Sequence, residues 1–393
     1  MQNSRYDVVI AGGAAVGSAA AYFLTADSGF KGTVLVVEPD PSYQHCATAL
    51  SAASIRHQFS TPENIRMSLF GTAFLRQFGS RLAVNGEQPD PAFHEGGYLF
   101  LATSQGADTL RENHTTQLAE GADIALMDAA ELASRYPWMN TDNLAAGALG
   151  LSGEGWLDAY GMMQGFRKKA IAQGATYIQD KVTGLKRDGH RIVGVELASG
   201  STVACGAVIN AAGTGAATLA RAAGIQLPVE PRKRSVFYFS SPATLANCPM
   251  VIDPSGAYFR PEGQGYIAGI APSEDNDPWC EDFEVQHELF DDVLWPLLAD
   301  RVPAFEALRC IRSWAGHYDM NIIDQNVILG PHPDVDNVYF ANGFSGHGMQ
   351  QSPAVGRALA ELITHGQYQT LDLSRMGWAR ILENRPIIEK NVV

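Results

Sequence analysis

Cysteine is scarce in this chain and nowhere paired in sequence. The five, at positions 46, 205, 248, 280 and 310, are an odd number, widely spaced, with no Cys-x-x-Cys. That argues against a disulfide framework and a redox dithiol, and favours a reducing compartment, here the cytoplasm. The ten histidines include no His-Glu-x-x-His and no paired-ligand spacing, so no metal site is expected. Positive charge is short as well: 28 Lys and Arg stand against 42 Asp and Glu, a net charge of −14. Nucleic acid and anionic membranes are therefore poor general partners, and an anionic substrate would need a local basic site. No internal repeat or low-complexity tract is present.

A long uninterrupted apolar run is also missing. The nearest, YDVVIAGGAAVGSAAAYFL at 6–24, carries Asp7 near its start and Gly12-Gly13 inside it. A membrane span needs about 20 continuous apolar residues, and a secretory leader needs a basic start and a cleavage site, so neither is expected. The stretch divides instead into a β-branched strand, DVVIAG, and a helix of small residues, SAAAYFLTA, joined by Gly12, Gly13 and Gly17. A second apolar strand, TVLVVEPD, ends in Glu38, 21 residues after Gly17. Such a turn brings backbone N–H groups and a helix N-terminus to a pyrophosphate, and the acid can accept from a ribose hydroxyl. Ala14 departs from the pattern, because it stands where the second glycine of GxGxxG is usual. A methyl is tolerated there if φ is negative.

With 393 residues the chain can bury a sizeable core, and two domains are expected. Thr61-Pro62 reads as the N-cap and first turn of an amphipathic helix. YLFLATS reads as a strand, and DAAELASRYP and DAYGMMQGFRKKAIAQG as helices. Turns at Asp188-Gly189 and Ser199-Gly200 mark a meander, and 229–270 reads as antiparallel sheet. NVYFANGFSGHGMQQSPAVGRALAELITHG then repeats the opening order of strand, glycine loop and helix. Gly343 lies 331 residues after Gly12, a separation that suits one long cofactor such as FAD gripped at both ends. Gly213 and Gly215 lack the acid of a second fingerprint, so they read as a strand end beside the first cofactor.

GFSGHGMQQSP, with SIRHQFSTPEN and WAGHYDMNIIDQNVILGPHP, resembles the D-amino-acid oxidase/sarcosine oxidase family of FAD-dependent oxidoreductases. It looks most like the branch of mitochondrial FAD-dependent oxidoreductase domain-containing proteins and their bacterial relatives. The resemblance spans almost the whole chain. It implies an α/β (α+β overall) fold, in which a Rossmann-type FAD-binding domain (1–85, 146–225 and 321–393) interleaves with an antiparallel-sheet substrate domain (86–145 and 226–320).

It also implies the cofactor contacts. Gly12, Gly13, Ala14, Ala15, Val16 and Gly17 lie at the pyrophosphate, and Glu38 with Pro39 at the adenosine. Ser51, Ala53 and Ser54 lie in the loop near the ring. Val182 flanks adenine, and Ala212 and Gly213 line the cofactor. Gly316, Gly343, Phe344, Ser345, Gly346, His347, Gly348 and Met349 take the flavin end. Ser51 replaces a flavin-linking histidine and Arg312 a flavin-linking cysteine, so FAD is expected to be noncovalent.

The implied reaction is oxidation of an amino acid, a secondary (N-substituted) amine foremost. Hydride passes from the α-carbon to flavin N5, and the imine then hydrolyses. Arg56 matches an arginine that binds the substrate carboxylate. His57, Tyr258, His317, Tyr318, His347 and Gln350 complete the catalytic candidates, each with a structural alternative: solvated arginine, core histidine, core tyrosine. Arg260, two residues beyond Tyr258, could add a second positive charge, whereas Arg232-Lys233-Arg234 reads as a solvated strand end. Gln350 replaces a carboxylate-binding lysine, and no lysine stands near Ile267 to activate oxygen. The electron acceptor is therefore open between O₂ and a partner carrier. A homo- or hetero-oligomer, oxidation of a 2-hydroxy acid, and a flavoprotein acting in assembly without turnover also remain open.

Overall fold

The computed structural model describes residues 4–273 and 276–390. Its centre is a sheet whose middle strands are parallel: Val335–Asn342, Thr202–Asn210, Arg5–Ala11, Val34–Glu38 and Thr176–Gln179, in that spatial order. Ile328–His332 closes one edge, and the meander Val182–Asp188, Arg191–Leu197 and Thr202–Asn210 folds over as an antiparallel extension. From Val8 onward the opening strands alternate. Val8, Ile10, Val34 and Val36 face one core with the helices Ala15–Ala26, Pro62–Leu75, Ala159–Ala172 and Gly348–His365. Tyr6, Val9, Ala11, Leu35 and Val37 face a second core on the other side. Burial on both faces is why these strands read as continuous apolar runs.

A second sheet runs in the order Arg309–Asn321, Val229–Ser240, Gly265–Gly269, Tyr258–Glu262, Met250–Ile252, Tyr98–Ala102, Ala146–Gly150 and Ile124–Asp128. Its pairs are antiparallel except for Met250–Ile252 beside Tyr98–Ala102. The chain thus passes between the sheets repeatedly, an α/β unit interleaved with an antiparallel one. Residues 146–150, assigned on sequence to the cofactor domain, instead form a strand of the second sheet, paired on both sides.

One local expectation holds in position, and one is corrected. Thr61 occupies the N-cap of Pro62–Leu75 but makes no side-chain capping bond. The Glu389 carboxylate serves that end instead, accepting from the N–H and hydroxyl of Ser60 at 2.7 Å each. Arg232, Lys233 and Arg234 are not a solvated run. They pair with Glu230, Asp282 and Asp277, and Arg234 does so with both guanidinium nitrogens, at 2.7 and 2.8 Å. No helix among the described residues is long and apolar enough to cross a membrane.

Candidate functional site

Because the central strands run parallel, the loops that follow them gather along one edge of the sheet, where open α/β sheets take their ligands. The Gly12 N–H donates to Val37 O, and the Ala211 N–H to Ala11 O, so three loops meet. Gly12 turns at φ +99°, and a Cβ there would overlap the Ala211 carbonyl. A Cβ at Gly17 would overlap the Gly12 carbonyl. Ala14 is extended (φ −71°, ψ −162°), so its methyl meets no backbone penalty, which resolves the departure seen in sequence. The helix Ala15–Ala26, which carries Val16, starts with no side-chain cap and no acid in its first turn. Its leading N–H groups and positive dipole end suit an anion.

Glu38 sits beside them: Oε2 accepts the Gly13 N–H at 2.8 Å and Oε1 the Asp40 N–H at 2.9 Å. Burial pushes its carboxyl up against the pull of those two donors. Pro39 is exposed next to it. Val182 opens the strand after Thr176–Gln179, and Ala212 precedes Gly213, which turns at φ +54°.

The loop after Val335–Asn342 is held from the second sheet. Gly343, Ser345 and Gly346 all have positive φ (78°, 53° and 97°). Asp319, which the sequence reading missed, fixes them: its Oδ2 accepts the Gly343 N–H at 2.8 Å and its carbonyl the Ser345 N–H at 3.1 Å. Burial pushes the Asp319 carboxyl up to about 6, against the pull of the Gly343 and Phe344 N–H groups. The folded chain therefore holds this proton more tightly than the unfolded chain. The group's contribution to stability is full below the unfolded value of 3.8 and falls as pH rises through about 6. Asp319→Asn is expected to remove that fall, gaining up to about 3 kcal/mol at pH 8, read from denaturation midpoints at pH 4 and pH 8.

Arg56 lies between the two sheets. Its guanidinium sits 4.3 Å from the Phe59 ring centroid and 5.1 Å from that of Phe100. Nη1 donates to Gln58 O at 3.1 Å, and Nη2 meets His347 Nε2 at 3.1 Å. Gln350 does not point to open space. Its Oε1 accepts the Arg56 N–H at 2.9 Å. No carboxylate among the described residues forms an ion pair with Arg56. Burial, with Arg56 second, holds the His347 imidazole down at about 3, so it is neutral and can accept from Arg56. An NMR titration should show no His347 inflection between pH 5 and pH 8. An inflection near 6.5 would contradict this environment.

The other candidates divide. Tyr258 and Tyr318 come together with Tyr98, which sequence reading missed. Burial pushes the Tyr258 phenol up, and the phenols of Tyr318 and Tyr98 push it further. Burial, foremost, lifts Tyr98 to about 12 against the pull of the Arg56 charge, with Tyr318 and Glu154 pushing it the same way as burial. Tyr98 stacks on Phe100 at 5.4 Å, Arg234 lies 4.9 Å over Tyr318, and Gly346 leaves room for the Tyr318 ring. His317, one residue along the strand, faces the opposite side, edge-on to Phe283 at 4.5 Å. His57 is buried with Nε2 2.8 Å from Thr72 Oγ1, and burial holds it down at about 4.

Arg260 offers no free charge. It donates to Ala52 O at 2.7 and 3.1 Å and pairs with Glu262 at 2.5 Å. It thereby ties down the loop of Ser51, Ala53 (φ +52°) and Ser54, whose strand pairs with Trp156. Gly316 packs on Leu50 of the short helix before that loop. Phe344 and Met349 are buried, and Gly348 opens the last long helix.

The family model for FAD dependent oxidoreductase (DAO) matches residues 7–362. The chain belongs to the DAO family of FAD-dependent oxidoreductases. FAD-dependent oxidoreductase domain-containing protein 1 of Xenopus laevis is 44% identical, the match covering 99% of this chain and 85% of that protein. Human mitochondrial sarcosine dehydrogenase is 27% identical over 93% of this chain, which spans only 40% of that longer protein. Among solved structures, L-proline dehydrogenase from P. horikoshii superposes with a TM-score of 0.85 at 26% identity, covering 98% of this chain and 99% of that one.

The DAO-family cofactor is FAD, and the residues present fit it. Two glycines clear the cradle where any Cβ would collide, the N-cap residue of the following helix makes no side-chain bond, so that end would suit a pyrophosphate, and Glu38 stands at the end of the next strand. The Gly343–Gly348 loop lies beyond, against the second sheet, where the other end of a long cofactor would be held.

Proposed function

We propose that this DAO-family protein oxidises the C–N bond of an amino acid, an N-substituted one foremost. The observation that carries the reading is Arg56: a half-buried guanidinium, clamped by Phe59, Phe100 and His347, with no carboxylate in ion-pair contact among the described residues. A desolvated, preoriented arginine in a chain of net charge −14 suits a substrate carboxylate, which it can grip with two nitrogens. FAD, when bound, supplies the acceptor for the α-hydrogen.

The protein's part is placement. Arg56 fixes the carboxylate, and the Phe59 and Phe100 rings exclude water around it. Tyr98, Tyr258 and Tyr318 line the space where the amine and its substituent would sit. Tyr98 and Tyr258 stay protonated at neutral pH, so they orient by hydrogen bonding and do not act as bases. His347, held down at about 3, is too weak a base to take a proton at pH 7. The amine must therefore arrive neutral, helped by the low local dielectric. The resulting imine hydrolyses in water.

The likeness to sarcosine and proline dehydrogenases supports an N-substituted donor and an acceptor other than O₂. Ile267, buried in its strand where an oxygen-activating lysine would otherwise stand, agrees with that. The five free thiols keep a reducing compartment, the cytoplasm, as the expected location.

The test is anaerobic mixing of the yellow protein with N-alkyl amino acids, primary amino acids of both hands and 2-hydroxy acids, followed by air. Loss of flavin absorbance with N-alkyl amino acids, slow to recover in air, is expected. Bleaching by hydroxy acids alone would overturn the reading.

A further inference from the structure

We propose that Glu154 is a positioning residue that sets the Arg56 guanidinium for its carboxylate, an inference that rests on the reading of Arg56 above. Glu154 touches no open space: it is 1% exposed. Its Oε1 accepts the His57 N–H at 2.5 Å and its Oε2 the Gln58 Nε2 at 2.8 Å. That same Nε2 donates to Tyr98 O at 2.8 Å, and the Gln58 carbonyl receives Arg56 Nη1 at 3.1 Å. The Glu154 carbonyl in turn accepts the Gly97 N–H at 3.0 Å. Glu154, through Gln58 and its own carbonyl, thus registers the 56–58 segment against the strand that carries Tyr98 and Phe100, the latter a ring beside Arg56.

The surroundings are cleared for it. A Cβ at Gly150 would overlap the Glu154 carboxylate, and Gly153, at φ +75°, leaves space for the His57 ring. No Lys, Arg or His among the described residues forms an ion pair with this carboxylate; burial lifts it to about 7 against the pull of its Gln58 and His57 donors and of the nearby Arg56 charge. A buried carboxylate with no direct ion pair is costly, so Glu154 is better explained by the geometry it imposes beside Arg56 than by stability. A role as base is not part of the proposal, because the side chain is buried and its oxygens accept from His57 and Gln58.

Glu154→Ala leaves His57 N–H and Gln58 Nε2 short of an acceptor and frees the segment. Glu154→Gln keeps an acceptor for His57 but turns an NH₂ toward Gln58 Nε2. Gln58 can then flip, since its Oε1 has no partner, at the cost of its bond to Tyr98 O. The amide is therefore expected to rescue only in part.

Two readouts test this. One is the KM for the amine that bleaches the flavin. The other is the Kd of acetate, read from its perturbation of flavin absorbance, with Arg56→Ala as the control that abolishes it. In Glu154→Ala both should rise at least about tenfold, while flavin reduction at saturation stays within about threefold. Glu154→Gln should fall between. If Glu154→Ala does not fold, Gln58→Met breaks the same link and should give the same pattern. Unchanged KM and Kd in these variants, or a loss confined to the saturated rate, would overturn the role of Glu154 alone. A wild-type protein that binds no acetate and is bleached by no amino acid would remove the Arg56 reading, and this proposal with it.

Discussion

Arg56→Met is expected to weaken substrate binding about 30- to 4,000-fold, because truncating one partner of a desolvated charge pair costs about 2–5 kcal/mol. Methionine keeps an unbranched stem between Phe59 and Phe100, so the two rings retain a neighbour. The fold has little else to lose there: a bond to Gln58 O and a contact with His347, which burial keeps neutral in any case. FAD content should be unchanged, because Arg56 makes no contact with the Gly12–Gly17 cradle. The defect should lie mostly in KM, with a smaller loss in flavin reduction at saturation, since a carboxylate held loosely also misplaces the α-carbon. Arg56→Lys should recover only part of the affinity: the charge returns, but the planar fork that grips two oxygens does not. Anaerobic stopped-flow reduction over a range of substrate concentrations measures both quantities. Wild-type KM in Arg56→Met would sink the assignment.

How much of this site could be read from sequence depended on how local its causes are. The cradle was legible because strand, glycine turn, helix, strand and acid follow one another within forty residues, each step fixed by neighbours in the chain. The Gly343–Gly348 loop was legible because it repeats that order. Glu154 was not, because its meaning lies in partners 96 and 97 residues away. The only local hint was a carboxylate set between Gly153 and Gly155, which reads equally well as an exposed turn. Arg260 looked like a free cation although its ion-pair partner, Glu262, stands two residues along the same strand; only its backbone acceptor, Ala52 O, is remote, 208 residues away.

His317 and Tyr318 could not both face one side of a strand, and alternation alone does not say which does. Tyr318 is chosen by the glycine opposite it at 346. The boundary at 146 failed because AGALG is apolar throughout. A run buried on both faces carries no mark of which sheet will take it.

Gly17→Ala is expected to yield a protein that loses FAD on purification, its ratio of flavin to protein absorbance falling about tenfold or more. The added methyl would overlap the Gly12 carbonyl oxygen and press on Ile10 Cγ2 at 3.2 Å. Gly12 cannot easily retreat, because its own φ of +99° and its contact with the Ala211 carbonyl already fix it. The obstacle is backbone on a turn, not the end of a flexible side chain, so relief must come from lifting the helix Ala15–Ala26 away from the turn. Strain of this kind costs about 1–3 kcal/mol in a packed interior. Here it would also displace the N–H groups proposed to receive the pyrophosphate, so FAD affinity should fall further than stability does. Ala14→Gly separates the two effects. Position 14 is extended at φ −71° and needs no glycine, so removing that methyl should leave FAD affinity within about threefold and cost stability only through the freer unfolded chain. Fluorescence titration of apoprotein with FAD distinguishes the cases. A yellow Gly17→Ala protein with wild-type affinity would mean that the turn yields more readily than its contacts imply, and that the cofactor is held chiefly from its other end, by the loop that Asp319 fixes.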